Sequence, residues 1–258
     1  VINLIYIFLI FVTALIFAYA YWLRKKINYL VINQNIFLNE LHILKKEVNS
    51  GISETLNSVS LSALDFNFPV VLGGPSIDGQ HARTLFHILV SNKPKYIIEL
   101  GSGSSTMLIA KILKKMGHVP SLHISVDHEE KYLNITKEIA KLNSLDDQIQ
   151  FEHCPLVKID GYENKWYSNI SDLAKGKMFD LVIVDGPPAY ETGMGSAREP
   201  ALDVLASHIS NGGVLILDDA NRPGELAVAD AWIKKHKEFE RFNFSDGKGV
   251  AIFTKKVG

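Results

Sequence analysis

"YIIELGSGSST", residues 96–106, is the stretch on which the reading of this chain turns. A short apolar run enters Gly101-Ser102-Gly103, and Ser104, Ser105 and Thr106 then offer caps for an apolar helical segment. Glycines two apart permit a tight turn and a close approach of backbone to ligand. One acid, Glu99, stands immediately ahead of the turn. A strand, a ligand-holding turn and a helix are expected here, and the flanking segments extend that pattern.

Strand-like runs recur at 96–100, 122–127, 149–154, 179–185 and 213–218. Helical segments are expected between them at about 81–92, 105–117, 129–144, 167–175, 198–209 and 223–237. Apolar runs without polar alternation indicate strands buried on both faces, as in a parallel sheet covered by helices. Residues 239–244 and 249–254, joined by Ser-Asp-Gly-Lys, read as a terminal hairpin. The expected fold is therefore α/β, Rossmann-like and doubly wound. Ligands of such sheets lie beyond the carboxyl ends of the strands, where Asp127, Asp185, Asp218 and Asp219 all fall.

An acid ending the second strand suits the two hydroxyls of a ribose, which two cofactor classes share. A dinucleotide turn calls for a third glycine at position 106, where Thr106 stands. Glu99 would repel a pyrophosphate and attract an ammonium group. The turn thus favours S-adenosylmethionine over NAD.

Four stretches together carry a family resemblance: "IIELGSGSST" (97–106), "ISVDHEEKY" (124–132), "LVIVDGPPA" (181–189) and "GGVLILDDANRPGE" (212–225). In this order and spacing, over roughly residues 70–254, the chain resembles the class I S-adenosylmethionine-dependent methyltransferases, and most closely a bacterial O-methyltransferase-like group. The resemblance implies a seven-stranded sheet with a reversed last strand. It implies that Glu99, Gly101 and Gly103, with Ser102 and Ser104 of the same turn, hold the methionine part of the cofactor. Asp127 would hold the ribose, and His128 would border the adenine.

Methyl transfer to a hydroxyl needs alignment and removal of one proton. Asp185, and Asp218 or Asp219, are placed for that work, with Asp185 and Asp219 the expected catalytic pair and Asp185 also beside the cofactor. In the catechol O-methyltransferase-like relatives an Asp and a later Asp-Asn pair bind magnesium. Asp185 and Asp219 could fill two of those places, but Ala220 stands in the third and Asn221 comes one position late, so Mg2+ is doubtful. His153 reads as a packing histidine rather than a base, and Trp166 and Tyr167 could stack on a substrate or anchor a helix, with core packing the default. Residues 189–200 suggest a substrate-covering loop, Arg198 a contact for an anionic substrate, and Arg222 with Glu225 an ion pair bracing Asp218 and Asp219.

The 258 residues are 47% hydrophobic and 21% charged, enough for one sizeable core plus an appendage. A net charge of -1 and no basic cluster beyond pairs such as Lys114-Lys115 and Lys234-Lys235 argue against a nucleic-acid partner. A lone cysteine, Cys154, excludes an internal disulfide and a cysteine-rich zinc site, and suits a reducing compartment.

The appendage is N-terminal. "VINLIYIFLIFVTALIFAYAYWL", residues 1–23, has only Asn3 and Thr13 as clearly polar groups and as a helix would span roughly 34 Å. Tyr21 and Trp22 form an aromatic belt followed by Arg24, Lys25 and Lys26, which places the following chain in the cytoplasm as a single-pass protein. Ala18-Tyr19-Ala20 has the form of a signal-cleavage site, but no basic segment precedes the apolar run. Val1 in place of Met leaves the start of the chain open. Ile27, Leu30, Gln34, Phe37, Leu41, Leu44 and Val48 are spaced as a coiled-coil seam for a homodimer, or as an amphipathic helix resting on the membrane or on its own domain. Residues 49–69 lose the period and read as a linker. The expected organisation is an anchor at 1–23, a juxtamembrane helix and linker at 24–69, and a methyltransferase domain at 70–258.

The expected function is O-methylation of a small-molecule, sugar or lipid-linked glycan acceptor. Two rivals are kept. An NAD-dependent oxidoreductase would need a catalytic Tyr-x-x-x-Lys or His arrangement, and the one Tyr-x-x-x-Lys run, Tyr21 to Lys25, lies at the end of the apolar anchor. A non-catalytic membrane scaffold would act through residues 27–48.

Overall fold

The computed structural model describes residues 2–73, 76–189, 193–245 and 247–258. The helices are α1 (Ile2–Ser62), α2 (Gly79–Asn92), α3 (Ser104–Lys115), α4 (Glu130–Leu142), α5 (Ile170–Ala174), α6 (Pro200–Leu205) and α7 (Pro223–Lys235). The strands are β1 (Tyr96–Leu100), β2 (Leu122–Asp127), β3 (Gln150–His153), β4 (Leu156–Lys158), β5 (Lys165–Tyr167), β6 (Phe179–Val184), β7 (Ile209–Asp218), β8 (Phe239–Phe244) and β9 (Val250–Lys255). The chain divides into two compact units, one up to Ile52 and one from Ser53 to Gly258.

The first unit is helical throughout. Within it the stretch Phe8–Lys45 belongs to a helix long and apolar enough to cross a membrane. Tyr19 stacks on Trp22 at 5.8 Å and Lys26 Nζ lies 5.0 Å over the Trp22 ring, an aromatic and cationic cluster of the kind found at a bilayer surface. Helix α1 runs on to Ser62, so residues 49–62, expected to be linker, are helical. No proline occurs before Pro69, and the scattered Ser, Asn and Gly residues each cost only about 1 kcal/mol or less against Ala in a helix.

The second unit is built on a seven-stranded sheet of order β3-β2-β1-β6-β7-β9-β8. Strands β3, β2, β1, β6 and β7 are parallel, and β9 runs antiparallel between β7 and β8. The reversed strand is the one expected, and it forms a hairpin with β8. Alternation along the strands divides the core. Ile98, Leu100, Val182, Val184, Leu215 and Leu217 pack with α5, α6 and α7, whereas Ile97, Leu181, Ile183, Val214 and Ile216 pack with α2 and α3. Each such fully buried aliphatic side chain contributes about 1.5–3 kcal/mol. Residue 167, expected to begin a helix, instead ends β5, which forms a small antiparallel pair with β4.

One polar cluster ties the α6 and α7 layer together. Asp203 Oδ1 lies 2.6 Å from His236 Nε2 and 2.8 Å from Lys235 Nζ, and its Oδ2 accepts a bond from Tyr162 at 2.6 Å. Burial alone would raise the Asp203 pKa, but the bonds from Lys235, Tyr162 and His236 outweigh it and hold the carboxyl below its ordinary value. A depressed carboxylate adds stability that is complete above the unfolded value, about 3.9, and is lost as pH falls through the folded one. Asp203→Asn should therefore cost about 1–2 kcal/mol at pH 7 and less at pH 3. Thermal melts of the two proteins at both pH values measure this, and an equal deficit at both would exclude the electrostatic account.

Candidate active site

The carboxyl ends of β1, β2, β6 and β7 open on a cavity of about 580 Å³, within the range of small-molecule sites. Gly101, Ser102, Gly103, Ser104, Asp127, His128, Asp185 and Asp219 all line it, so seven of the eight residues expected to hold cofactor, and both expected catalytic residues, reach one space.

The turn after β1 is shaped by sterics. Gly101 has φ 108°, and a Cβ there would meet Gly186 N at 3.1 Å and the Asp185 carbonyl carbon at 3.2 Å. Only glycine allows the turn to pass so close to the chain after β6. Gly103 caps α3, and its N–H donates to Thr106 Oγ1 at 3.2 Å. The residue occupying the third-glycine position of a dinucleotide turn is thus a structural part of this one.

Asp127 is 6% exposed. Its Oδ2 accepts from Ser102 N at 3.1 Å and Ser102 Oγ at 2.7 Å, and its Oδ1 accepts from Glu129 N at 3.0 Å and lies 3.3 Å from His128 Nδ1. Burial favours the neutral acid, but the bonds from His128, Glu129 and Ser102 more than compensate and hold the pKa below normal. Two of these partners, the Ser102 hydroxyl and the His128 ring, sit on rotatable bonds and can yield to a ligand's hydroxyls without disturbing the backbone contacts.

Glu99 does not line the cavity. Strand alternation turns it to the Ile97 face of the sheet, where it is fully buried with Oε1 2.8 Å from His123 Nε2. The expected approach to an ammonium group gives way to an internal partner, and Oε2 has no hydrogen-bond partner.

At the other wall Asp185 follows β6, and Asp218 and Asp219 end β7. The Asp185 side chain keeps 24% of its surface exposed. Burial, reinforced by the Asp218 carboxylate and opposed by Arg198, raises its pKa well above the carboxylate range. Asp218 turns away from the cavity, with Oδ1 2.8 Å from the fully buried His81 Nδ1. Burial disfavours both charges, yet the mutual attraction prevails, holding Asp218 below and His81 above its usual pKa. Asp219 adopts φ 57°, a left-handed conformation that Asp tolerates, and its Oδ2 lies 2.9 Å from Arg222 Nη1. Arg222 is also 3.5 Å from Glu225, which makes the expected internal brace of the Asp219 side.

Arg198 was expected to meet an anionic substrate, but its donors are committed internally. Nε donates to Pro187 O at 3.3 Å, Nη1 to Asp218 O at 2.9 Å and Nη2 to Asp185 O at 2.6 Å. Of the loop expected at 189–200, residues 190–192 lie outside the described residues. Among the described ones, the end of the segment is fixed by Arg198.

Tyr167, for which core packing was the default expectation over contact with a substrate, lines the cavity. Its hydroxyl is buried without a partner, and the His128 ring stands edge-on to it at 6.1 Å. Burial, with the nearby Asp127 carboxylate, raises its pKa well above normal, so it is a neutral donor. Trp166 is core, as expected. His153 is exposed and lies 3.1 Å from His128 O, and Cys154 is buried with its thiol pushed up to about 11, chiefly by burial. Neither is placed to react. The remaining lining carries an apolar stretch of Phe68, Val70, Val71, Met107, Tyr132 and Ile135, beside the polar Ser76, Glu129, Thr136, Arg222 and Lys248.

Asp185, Asp218 and Asp219 can each bring one oxygen within 4.8 Å of the others, the one such acidic or imidazole group among the described residues. As a magnesium site it fits poorly. Position 220 is a buried alanine, and Asn221 turns away to donate to Ser245 O at 2.8 Å and Gly247 O at 3.1 Å. Each of the three carboxylates already faces a cationic side chain.

The strand order and reversed β9 define the class I methyltransferase fold. Residues 98–220 match the family model described as a methyltransferase domain. Solved structures of the same fold include a methyltransferase from Podospora anserina with SAH bound (13% identity, TM-score 0.55, 71% of this chain and 81% of that one). An O-methyltransferase from Bacillus cereus in complex with SAH is also similar (14% identity, TM-score 0.51, 80% and 90%), as is a methyltransferase from Geobacter sulfurreducens (14% identity, TM-score 0.51, 71% and 81%). No curated protein sequence matches the chain.

Proposed function

We propose that the protein is an S-adenosylmethionine-dependent O-methyltransferase, held to a membrane by α1 with its catalytic domain on the cytoplasmic side. The observation that carries the reading is the convergence of the Gly101–Ser104 turn, Asp127 and Asp185 on one cavity. These groups fit the cofactor: a turn open to the cavity at Gly103, a strand-end carboxylate for two ribose hydroxyls, an unpartnered Tyr167 hydroxyl, and a desolvated carboxylate at Asp185 for a cation. The SAH-bound relatives share this fold. The thioether SAH is what remains of S-adenosylmethionine after transfer.

S-Adenosylmethionine, when bound, supplies a methyl group already activated by a sulfonium. The chain's own work is then to orient and to accept a proton. Asp185, with its raised pKa, would take the proton of the acceptor hydroxyl. Asp219, paired with Arg222, holds that wall in place. The apolar wall from Phe68 to Ile135 excludes water and receives the acceptor, which we place among small molecules, sugars or lipid-linked glycan precursors because α1 would keep the domain at a membrane surface.

The decisive test is calorimetric titration of the full-length protein in detergent micelles with S-adenosylmethionine and, separately, NAD. Binding of the first alone is expected. Binding of NAD alone would favour the oxidoreductase, and binding of neither would favour the scaffold, which the exposed seam residues of α1 such as Leu30, Phe37 and Leu44 could serve by pairing two copies.

Membrane attachment has its own test. Deleting residues 1–26 should move the protein from the membrane pellet to the supernatant. A truncated protein that still sediments with membranes would overturn the anchor.

A further inference from the structure

Three carboxylates that converge in a mostly desolvated wall need positive charge nearby, and a divalent ion is one way to supply it. This chain holds another. Arg198 Nη2 lies 3.4 Å from Asp219 Oδ2 and 3.6 Å from Asp185 Oδ1, spanning the two carboxylates that a metal would bridge. The guanidinium is only 3% exposed, and it is fixed by the carbonyls of Asp185, Asp218 and Pro187 at 2.6, 2.9 and 3.3 Å. Those carbonyls lie at the end of β7 and in the turn just after β6, so the group cannot withdraw without leaving these acceptors unpaired.

The surrounding charges complete the case. Arg222 faces Asp219 at 2.9 Å and His81 faces Asp218 at 2.8 Å, while Arg198 and Arg222 both approach Glu225, at 3.7 and 3.5 Å. Four carboxylates are thus met by three cationic side chains. A divalent ion at its usual distance of about 2.0–2.1 Å from the same oxygens would be pressed against a guanidinium that has nowhere to go.

We propose that Arg198 is a built-in cation occupying the place of a divalent metal, so that the site works without one and Arg198 is the residue that positions Asp185 and Asp219. The proposal rests on reading the cavity as a methyltransferase site. Its test does not share that reading's fate, because metal binding and cofactor binding are read separately.

The probe is Mn2+, followed by its electron paramagnetic resonance signal on the full-length protein in detergent micelles, alongside calorimetric titration with S-adenosylmethionine. The wild type should hold no Mn2+ that Asp219→Asn removes. Arg198→Ala should gain a Mn2+ site roughly 10-fold or more tighter, as expected from removing a unit charge some 4 Å away, and Arg198→Ala combined with Asp219→Asn should lose it. A wild-type Mn2+ site abolished by Asp219→Asn overturns the proposal. So does a folded Arg198→Ala protein that gains no site. If Arg198→Ala fails to fold, the wild-type comparison decides alone. Failure to bind S-adenosylmethionine would count against the methyltransferase reading and leave the metal result standing.

Discussion

Asp127→Ala should weaken S-adenosylmethionine binding by about 3 kcal/mol, roughly 100-fold, in calorimetric titration of the full-length protein. A carboxylate that accepts two ribose hydroxyls makes charge-assisted bonds, each costing about 1.5–3 kcal/mol to lose. The same carboxylate accepts from Ser102 N and Ser102 Oγ, so its removal also loosens the turn proposed to receive the methionine part. Asp127→Asn keeps one acceptor and the side-chain volume and should fall between the two. An affinity unchanged in Asp127→Ala would remove the ribose assignment.

Asp185→Asn should leave cofactor affinity nearly intact and slow methyl transfer about 10²- to 10⁴-fold, the usual worth of a positioned general base. The amide matches the carboxylate in shape but cannot take the proton. Label from the methyl group of S-adenosylmethionine, transferred into a membrane extract that the wild type modifies, reports the rate. Because the Asp185 pKa is raised, the wild-type rate should fall as pH drops through that raised value, where the base becomes protonated. The variant's residual rate should lack that limb. A variant as fast as the wild type would sink the catalytic role.

Much of this site was legible in the sequence because a parallel sheet gathers the carboxyl ends of its strands, and residues at those ends can be read from the end of each apolar run. Gly101, Asp127, Asp185 and Asp219 were all found that way. Glu99 was misread because a strand sends successive side chains to opposite faces, and a residue one step short of the turn fell on the buried one. Tyr167 was assigned to the core by default because a three-residue strand is too short to show which way a side chain faces. The pairing of His81 with Asp218, and of Arg198 with Asp185 and Asp219, joins residues from separate elements, and no local pattern records it. The helical continuation of α1 through residues 49–62 escaped notice because Ser, Asn and Gly signal a linker by composition while costing a helix too little to end it.

The internal pairing of the Arg198 wall bears on selectivity. Arg198 is committed to backbone carbonyls, Arg222 lies against Asp219, and Lys248 Nζ donates to Ser76 O at 2.7 Å. A charged acceptor would have to break an existing pair to be recognised, at a cost a neutral one does not incur. Discrimination among acceptors then falls to shape and apolar contact along Phe68, Val71, Tyr132 and Ile135. Under the proposed function, that would favour uncharged molecules with an apolar portion beside the hydroxyl, and the wall proposed to react would not be the wall that chooses.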